Sequence, residues 1–262
     1  YSLTIEDGEE KFDAKVYVQT QQGFRNLLRI QKAIMVDNVE NKTISLQELL
    51  NRGAGNILVF GKLSATYILD NQGVVDQIAS SFDDVYYQID LSEYKAERID
   101  VKVLEAAKAY FYNIYHTLWG PRPVLISDCY YLDKADAKNK IILNKIAEGA
   151  AHEQSDEQYY KDIDEHYMVF ASLFSEAWDV DAIFRECCEN SVKIADGAMA
   201  LMDTTRNYMP KYDMTPEEKA KYGTTHNMFN TLLEEGLGRL APKDRIDEYR
   251  KQMEYEKYRK HR

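Results

Sequence analysis

Apolar and polar residues alternate from Phe12 to Gln19, with Phe12, Ala14, Val16 and Val18 set against Asp13, Lys15, Tyr17 and Gln19. This period of two predicts a half-buried strand that ends before Gly23. Residues 1–10, ahead of it, are polar and acidic. Phe24, Leu27, Leu28, Ile34 and Met35 then fall at helical spacing. Ser45 with Glu48 three residues on spells a capping box, in which each side chain satisfies the other's free amide, and it opens a second short helix that stops at Gly53 and Gly55.

From Asn56 the texture changes. Ile57–Phe60 is a continuous apolar run closed by Gly61, the signature of a strand buried on both faces. Helical spacing covers residues 64–82, a second strand covers Val85–Asp90, and a helix covers residues 101–118. After the breaker Gly120-Pro121-Arg122-Pro123 come a third strand, Val124–Ile126, and a fourth from Cys129 to Leu132, paired through a turn at Ser127-Asp128. A helix from Lys134 to Glu148 closes this unit at Gly149. Beyond it no strand signal remains. Two helices over residues 157–202 break near Trp178-Asp179, an irregular stretch at 207–225 contains a helical turn begun at Thr215, and residues 226–235 and 243–262 are helical. The expected architecture is α/β followed by an all-α region. Its parts are an N-terminal extension with one strand and two short helices (1–54), a mixed-sheet domain (55–149) and a helical region with a charged tail (150–262).

Composition narrows the function classes. With 262 residues, 45% of them hydrophobic, the chain has enough apolar surface for a packed core, and no apolar run approaches the about 20 residues that cross a bilayer. A formal charge of -11 argues against duplex nucleic acid as a partner, because phosphate contact relies on clustered Lys and Arg. Residues 243–262 are the exception, at +3 against -14 for the remainder. Cys129 and the adjacent Cys187 and Cys188 do not make a disulfide scaffold, which points to a reducing, intracellular compartment. The chain opens at Tyr1 and not at Met, so an upstream segment removed by trimming, by disorder or by processing of a targeting peptide is expected, and a mitochondrial transit peptide is one such segment.

The order strand, helix, strand, helix, strand, strand, helix over residues 56–148, with Pro123 directly before the third strand, resembles the thioredoxin and glutaredoxin fold. The resemblance implies a cis Arg122–Pro123 bond, with Pro123 beside the carboxyl end of Ile57–Phe60 and facing the turn at Lys62–Ala65. The helical second half is similar to the glutathione transferase arrangement. Redox members carry a cysteine where the first strand meets the first helix, and here that turn reads Gly61-Lys62-Leu63-Ser64-Ala65-Thr66-Tyr67. Dithiol exchange is therefore not implied. Transferase chemistry would fall to the hydroxyl of Ser64 or Tyr67, although the Glu-Ser or Gln-Ser step of those enzymes is replaced by Leu132-Asp133-Lys134-Ala135. The plainer assignment makes Ser64 a helix cap.

Other constellations read as structural. His152 and His166 lie beside Glu153 and Glu165, and Asp162 precedes His166 by one helical turn, but no second Glu-x-x-His helix accompanies them and the group reads as a solvated acidic face. Gly53-x-Gly55 precedes a strand, the reverse of a dinucleotide loop, and Gly61-Lys62-Leu63-Ser64 lacks the upstream glycine of a phosphate loop. No metal or cofactor is expected. Twenty tyrosines, several in adjacent pairs, suit contacts between proteins. Tyr130, Tyr131, Tyr249, Met253, Tyr255 and Tyr258 are the interface candidates. The leading expectation is a non-catalytic structural or assembly subunit of a multiprotein complex on a degenerate thioredoxin-like domain; the alternative is a transferase using Ser64 or Tyr67.

Overall fold

The computed structural model describes residues 1–91, 101–117, 119–148, 156–174, 179–201, 205 and 211–259, without the side chains at 103, 148, 258 and 259. The expected break at Trp178, the helix end at Leu118, the stop at Gly149, and His152 lie outside the described residues. Contacts divide the chain into two units, residues 1–202 and 203–262.

In the first unit, strands β1 (Ser2–Asp7) and β2 (Glu10–Val18) form an antiparallel hairpin that turns Leu3, Ile5, Phe12, Ala14 and Val16 inward. The alternation of β2 thus has a counterpart upstream, where the polar residues of β1 had concealed it. Helix α1 (Gln21–Lys32) begins under the Thr20 hydroxyl, which accepts the Gly23 amide at 3.1 Å. Gly23 admits no side chain, because a Cβ there would lie 1.9 Å from the Gly55 carbonyl oxygen, and Gly55 itself holds φ +81. These two glycines let the helix start rest on the turn that feeds the next long strand. Between them lie β3 (Thr43–Ser45) and α2 (Leu46–Leu50), the latter capped by Ser45 accepting the Glu48 amide.

Strand β4 (Asn56–Phe60), helices α3 (Ala65–Asp70) and α4 (Gln72–Ser81), strand β5 (Asp84–Ile89), helix α5 (Val101–Thr117) and strand β6 (Arg122–Leu125) follow. The expected helix over 64–82 is two helices that meet at Asn71, whose φ of -119 interrupts them. Six strands form one mixed sheet in the order β3-β1-β2-β4-β5-β6, in which β4, β5 and β6 are parallel and β2 runs antiparallel to β4. Residues 1–54 therefore supply half of the strands of this sheet, and the expected boundary at 54/55 is crossed by the β2–β4 ladder.

Cys129–Leu132 adds no fourth parallel-unit strand; Tyr131 makes a single parallel bridge to Tyr159. No cis peptide bond occurs among the described residues, so Arg122–Pro123 is trans, contrary to the expectation from the resemblance. Pro123 pairs with Tyr87 of β5, and β5 lies between it and β4, so it does not face the turn after β4. Its place on an outer strand of the sheet has a local cause: proline lacks the N–H that would otherwise go unpaired there.

One face of the sheet carries the main core, where Phe60, Tyr87 and Ile89 meet Ile30 of α1, Ile68 of α3, Ile78 of α4 and Phe111 of α5. On the other face Ile57, Val59, Tyr86 and Val124 pack with Ile194. That residue belongs to α8 (Val180–Asp196), which follows α6 (Ala137–Glu148) and α7 (Ile163–Phe174). Glu186 of α8 grips Arg122 of β6 in a two-bonded ion pair, at 2.5 and 2.6 Å, and accepts the Tyr115 hydroxyl at 2.9 Å. Asn190 donates to the Pro123 carbonyl at 2.7 Å. Both contacts hold α8 along the outer strand.

Cys187 is fully buried on α8, its thiol pushed well up by that burial, whereas Cys188 is half-buried and Cys129 exposed. A thiol reagent added to the native protein should therefore label Cys129 first, Cys188 slowly and Cys187 on unfolding. Rapid labelling of all three in the native state would contradict this packing of α8.

In the second unit, Thr215 and Glu218 form a capping box at the start of α9 (Pro216–Tyr222), and α10 (Thr225–Leu240) and α11 (Ile246–Arg259) follow. No described helix is long and apolar enough to cross a membrane.

Candidate functional site

Each parallel strand is followed, within three residues of its end, by a charged residue. Lys62 follows β4, Asp90 follows β5 and Asp128 follows β6, while Lys15 reaches the same edge from β2, where it pairs with Val59. The Lys62 ammonium donates to Asp90 Oδ2 at 3.1 Å and lies 3.8 Å from Asp128 Oδ2; Lys15 lies 3.2 Å from Asp128 Oδ1. The Asp90 side chain is 0% exposed. Burying a carboxylate is costly unless an ammonium and further hydrogen bonds accompany it, so this position makes strict demands on its surroundings. The Tyr87 hydroxyl donates to the Lys62 carbonyl at 2.7 Å and the Gln88 amide to the Ile126 carbonyl at 2.8 Å, which fixes the three strand ends relative to one another.

A cleft of about 480 Å³ opens here. Lys15, Lys62, Lys42, Asp13 and Asp128 are its ionisable side chains besides Tyr1, and Ile34, Met35 and Leu63 give it an apolar side. Asp13 accepts the Thr4 hydroxyl at 2.7 Å. Open α/β sheets hold ligands at the carboxyl ends of their parallel strands, because the strand-to-helix connections part there and leave a crevice.

A second set of charges is buried nearby in sequence order after β6. Glu157 and Lys161, both nearly inaccessible, are joined by an ion pair at 3.4 Å, and Lys134 bonds the same carboxylate at 2.6 Å. His166 on α7 is held below the ordinary histidine range, by burial first and by the Lys161 charge second, against the opposing pull of Glu165, Asp90 and Asp162. Its Nδ1 is buried and has no hydrogen-bond partner among the described residues. No group of three metal-ligating side chains occurs among the described residues.

The residues expected from the sequence fall elsewhere. Ser64 is buried, donates to the Asp13 carbonyl at 3.2 Å and accepts no helix amide, so it is not the side-chain cap of α3. The Tyr67 hydroxyl donates to Asp7 Oδ2 at 2.8 Å, and its phenol is pushed well above the ordinary tyrosine range, by burial first and then by Asp7. Its ring stacks on Phe12 with centroids 4.2 Å apart. Both hydroxyls are thus engaged within the fold, and neither lines the cleft.

Tyr131 accepts the Gln158 amide at 3.2 Å, whereas Tyr130 is exposed. On α11, Tyr249 and Tyr255 are exposed and Met253 is half-buried; the Tyr258 side chain lies outside the described residues. Lys62 and Asp90 carried a legible signal, a charge within two residues of a doubly buried run, but nothing local showed that these strand ends would converge. Comparison of the chain with protein-family models gives no match, and neither does comparison with curated proteins.

Proposed function

We propose that this chain is a non-catalytic structural or assembly subunit of a larger protein complex, with an α/β body and a helical attachment element in residues 211–259. The observation that supports it is how little of that element is buried. Among its described residues Leu237 alone is buried, while Leu232, Leu240 and Tyr249 remain exposed. Helices of 7, 16 and 14 residues are marginal in water without apolar packing, so a surface that covers these side chains supplies the missing stabilisation. The tail's +3 charge suits an acidic partner surface and makes the contact salt-sensitive. The transferase alternative has no comparable support, since Ser64 and Tyr67 are engaged elsewhere.

Deleting residues 254–262 should leave the melting temperature of the isolated protein nearly unchanged while weakening its incorporation into the native complex, read by size-exclusion chromatography of source extracts. A loss of several degrees with assembly intact, or a native mass near 30.5 kDa, would overturn the proposal.

A further inference from the structure

We propose that the cleft at the carboxyl ends of β4 and β5 binds a small organic anion, a phosphate or carboxylate carried on a compact apolar body. The inference does not rest on the assembly role. The cleft lies at the carboxyl ends of β4 and β5, beside the antiparallel β2–β4 pair, and the carboxyl ends of parallel strands are where open α/β sheets hold ligands. Its volume of about 480 Å³ falls within the range of small-molecule sites.

The lysines set the sign of the ligand. Side chains of Lys15, Lys42 and Lys62 line the cleft with those of Asp13 and Asp128, and the buried Asp90 lies 3.1 Å from Lys62, so ammonium groups and carboxylates are in balance and an anion binds by taking the place of one carboxylate. Asp13 is engaged by Thr4, so Asp128 is the carboxylate that two ammonium groups share, at 3.2 and 3.8 Å. Asp128 lies three residues beyond β6 and its side chain is 31% exposed. An entering anion takes its place between Lys15 and Lys62, while the fully buried Asp90 keeps Lys62 aimed at the cleft. Charge-assisted bonds of this kind are stronger than neutral ones, and the partly buried ammonium groups are already held in position. Lys42 reinforces the assignment, for it holds φ +55, a conformation unfavourable for a residue with a Cβ, and strain of this kind concentrates at ligand sites. The body of the ligand follows from Ile34, Met35 and Leu63. Met35 and Leu63 are 56% and 58% exposed beside the lysines, and an apolar group seated there would cover them.

Calorimetry and 1H–15N spectra of the full chain with phenyl phosphate, benzoate, inorganic phosphate and benzylamine test this. Phenyl phosphate or benzoate should bind at least about fivefold more tightly than inorganic phosphate, since a covered apolar group contributes about that factor or more, and should shift the amides of Lys15, Gly61 and Lys62. The tighter of the two identifies the head group as phosphate or carboxylate. Lys15→Met should weaken binding about tenfold, the scale of one charge-assisted bond. Met35→Ser should weaken phenyl phosphate and leave inorganic phosphate unchanged. Lys42→Asn, a residue that tolerates the left-handed conformation, should fold normally and weaken binding about threefold, which decides the matter where Lys15→Met fails to fold. Equal or tighter binding of benzylamine, equal binding of inorganic phosphate, affinity unchanged in the folded lysine variants, or no binding by any probe would each overturn the proposal.

Discussion

Phe111→Ala is expected to lower the unfolding free energy by about 4 kcal/mol in urea titrations, the scale of removing a fully buried aromatic ring and leaving its cavity. Phe111 is 1% exposed on α5 and sits at the junction of three elements. Its ring meets Phe174 of α7 edge-on with centroids 4.9 Å apart and Phe170 at 6.2 Å, and Phe170 in turn lies 5.4 Å from Phe184 of α8. These contacts join the helices of residues 163–196 to the sheet body, so the truncation loosens two interfaces at once. A single cooperative transition with the midpoint lowered is the expected form of the result. A loss below about 1 kcal/mol would show that α7 and α8 are attached independently of this aromatic cluster.

Lys62→Met should have the second largest effect, about 3 kcal/mol, because it removes an ammonium from a carboxylate that is out of water. Methionine keeps most of the lysine stem, so the measured change isolates the charge. Lys15→Met offers the contrast: its partner Asp128 is 31% exposed, and pairs of this kind are worth below about 1 kcal/mol. Comparable losses in the two variants would remove the argument that Asp90 is the buried anchor of the cleft. The comparison also separates fold from binding, since Lys15→Met is expected to lose ligand and retain stability.

The two halves of the cleft differ in how far local sequence could reveal them. Lys62 and Asp90 follow doubly buried runs, a pattern that local hydrophobicity makes plain. Lys15 and Asp13 look like ordinary polar positions of an alternating strand, and Lys42 like a residue of a polar loop. Their meeting depends on the β2–β4 and β1–β2 ladders, whose registers pair Lys15 with Val59 and Thr4 with Asp13. The cis proline failed for a related reason. A proline before an apolar run is compatible with several sheet orders, and the trans bond at Pro123 belongs to an outer strand beside β5.

Local chemistry by itself determined where chain segments become strands or helices. The apolar run Ile57–Phe60, the cap at Ser45 and the helix start at Thr215 all express short-range sterics and hydrogen bonding, which a few neighbouring residues specify. Tertiary structure alone decided that residues 1–54 complete the sheet instead of preceding a domain. It also decided that Ser64 and Tyr67 are bound to Asp13 and Asp7, and that four charges from four strands share one edge. Those outcomes depend on strand order and register, which are selected by burying both faces of β4 and β5 at once and by pairing the charges that this burial brings together.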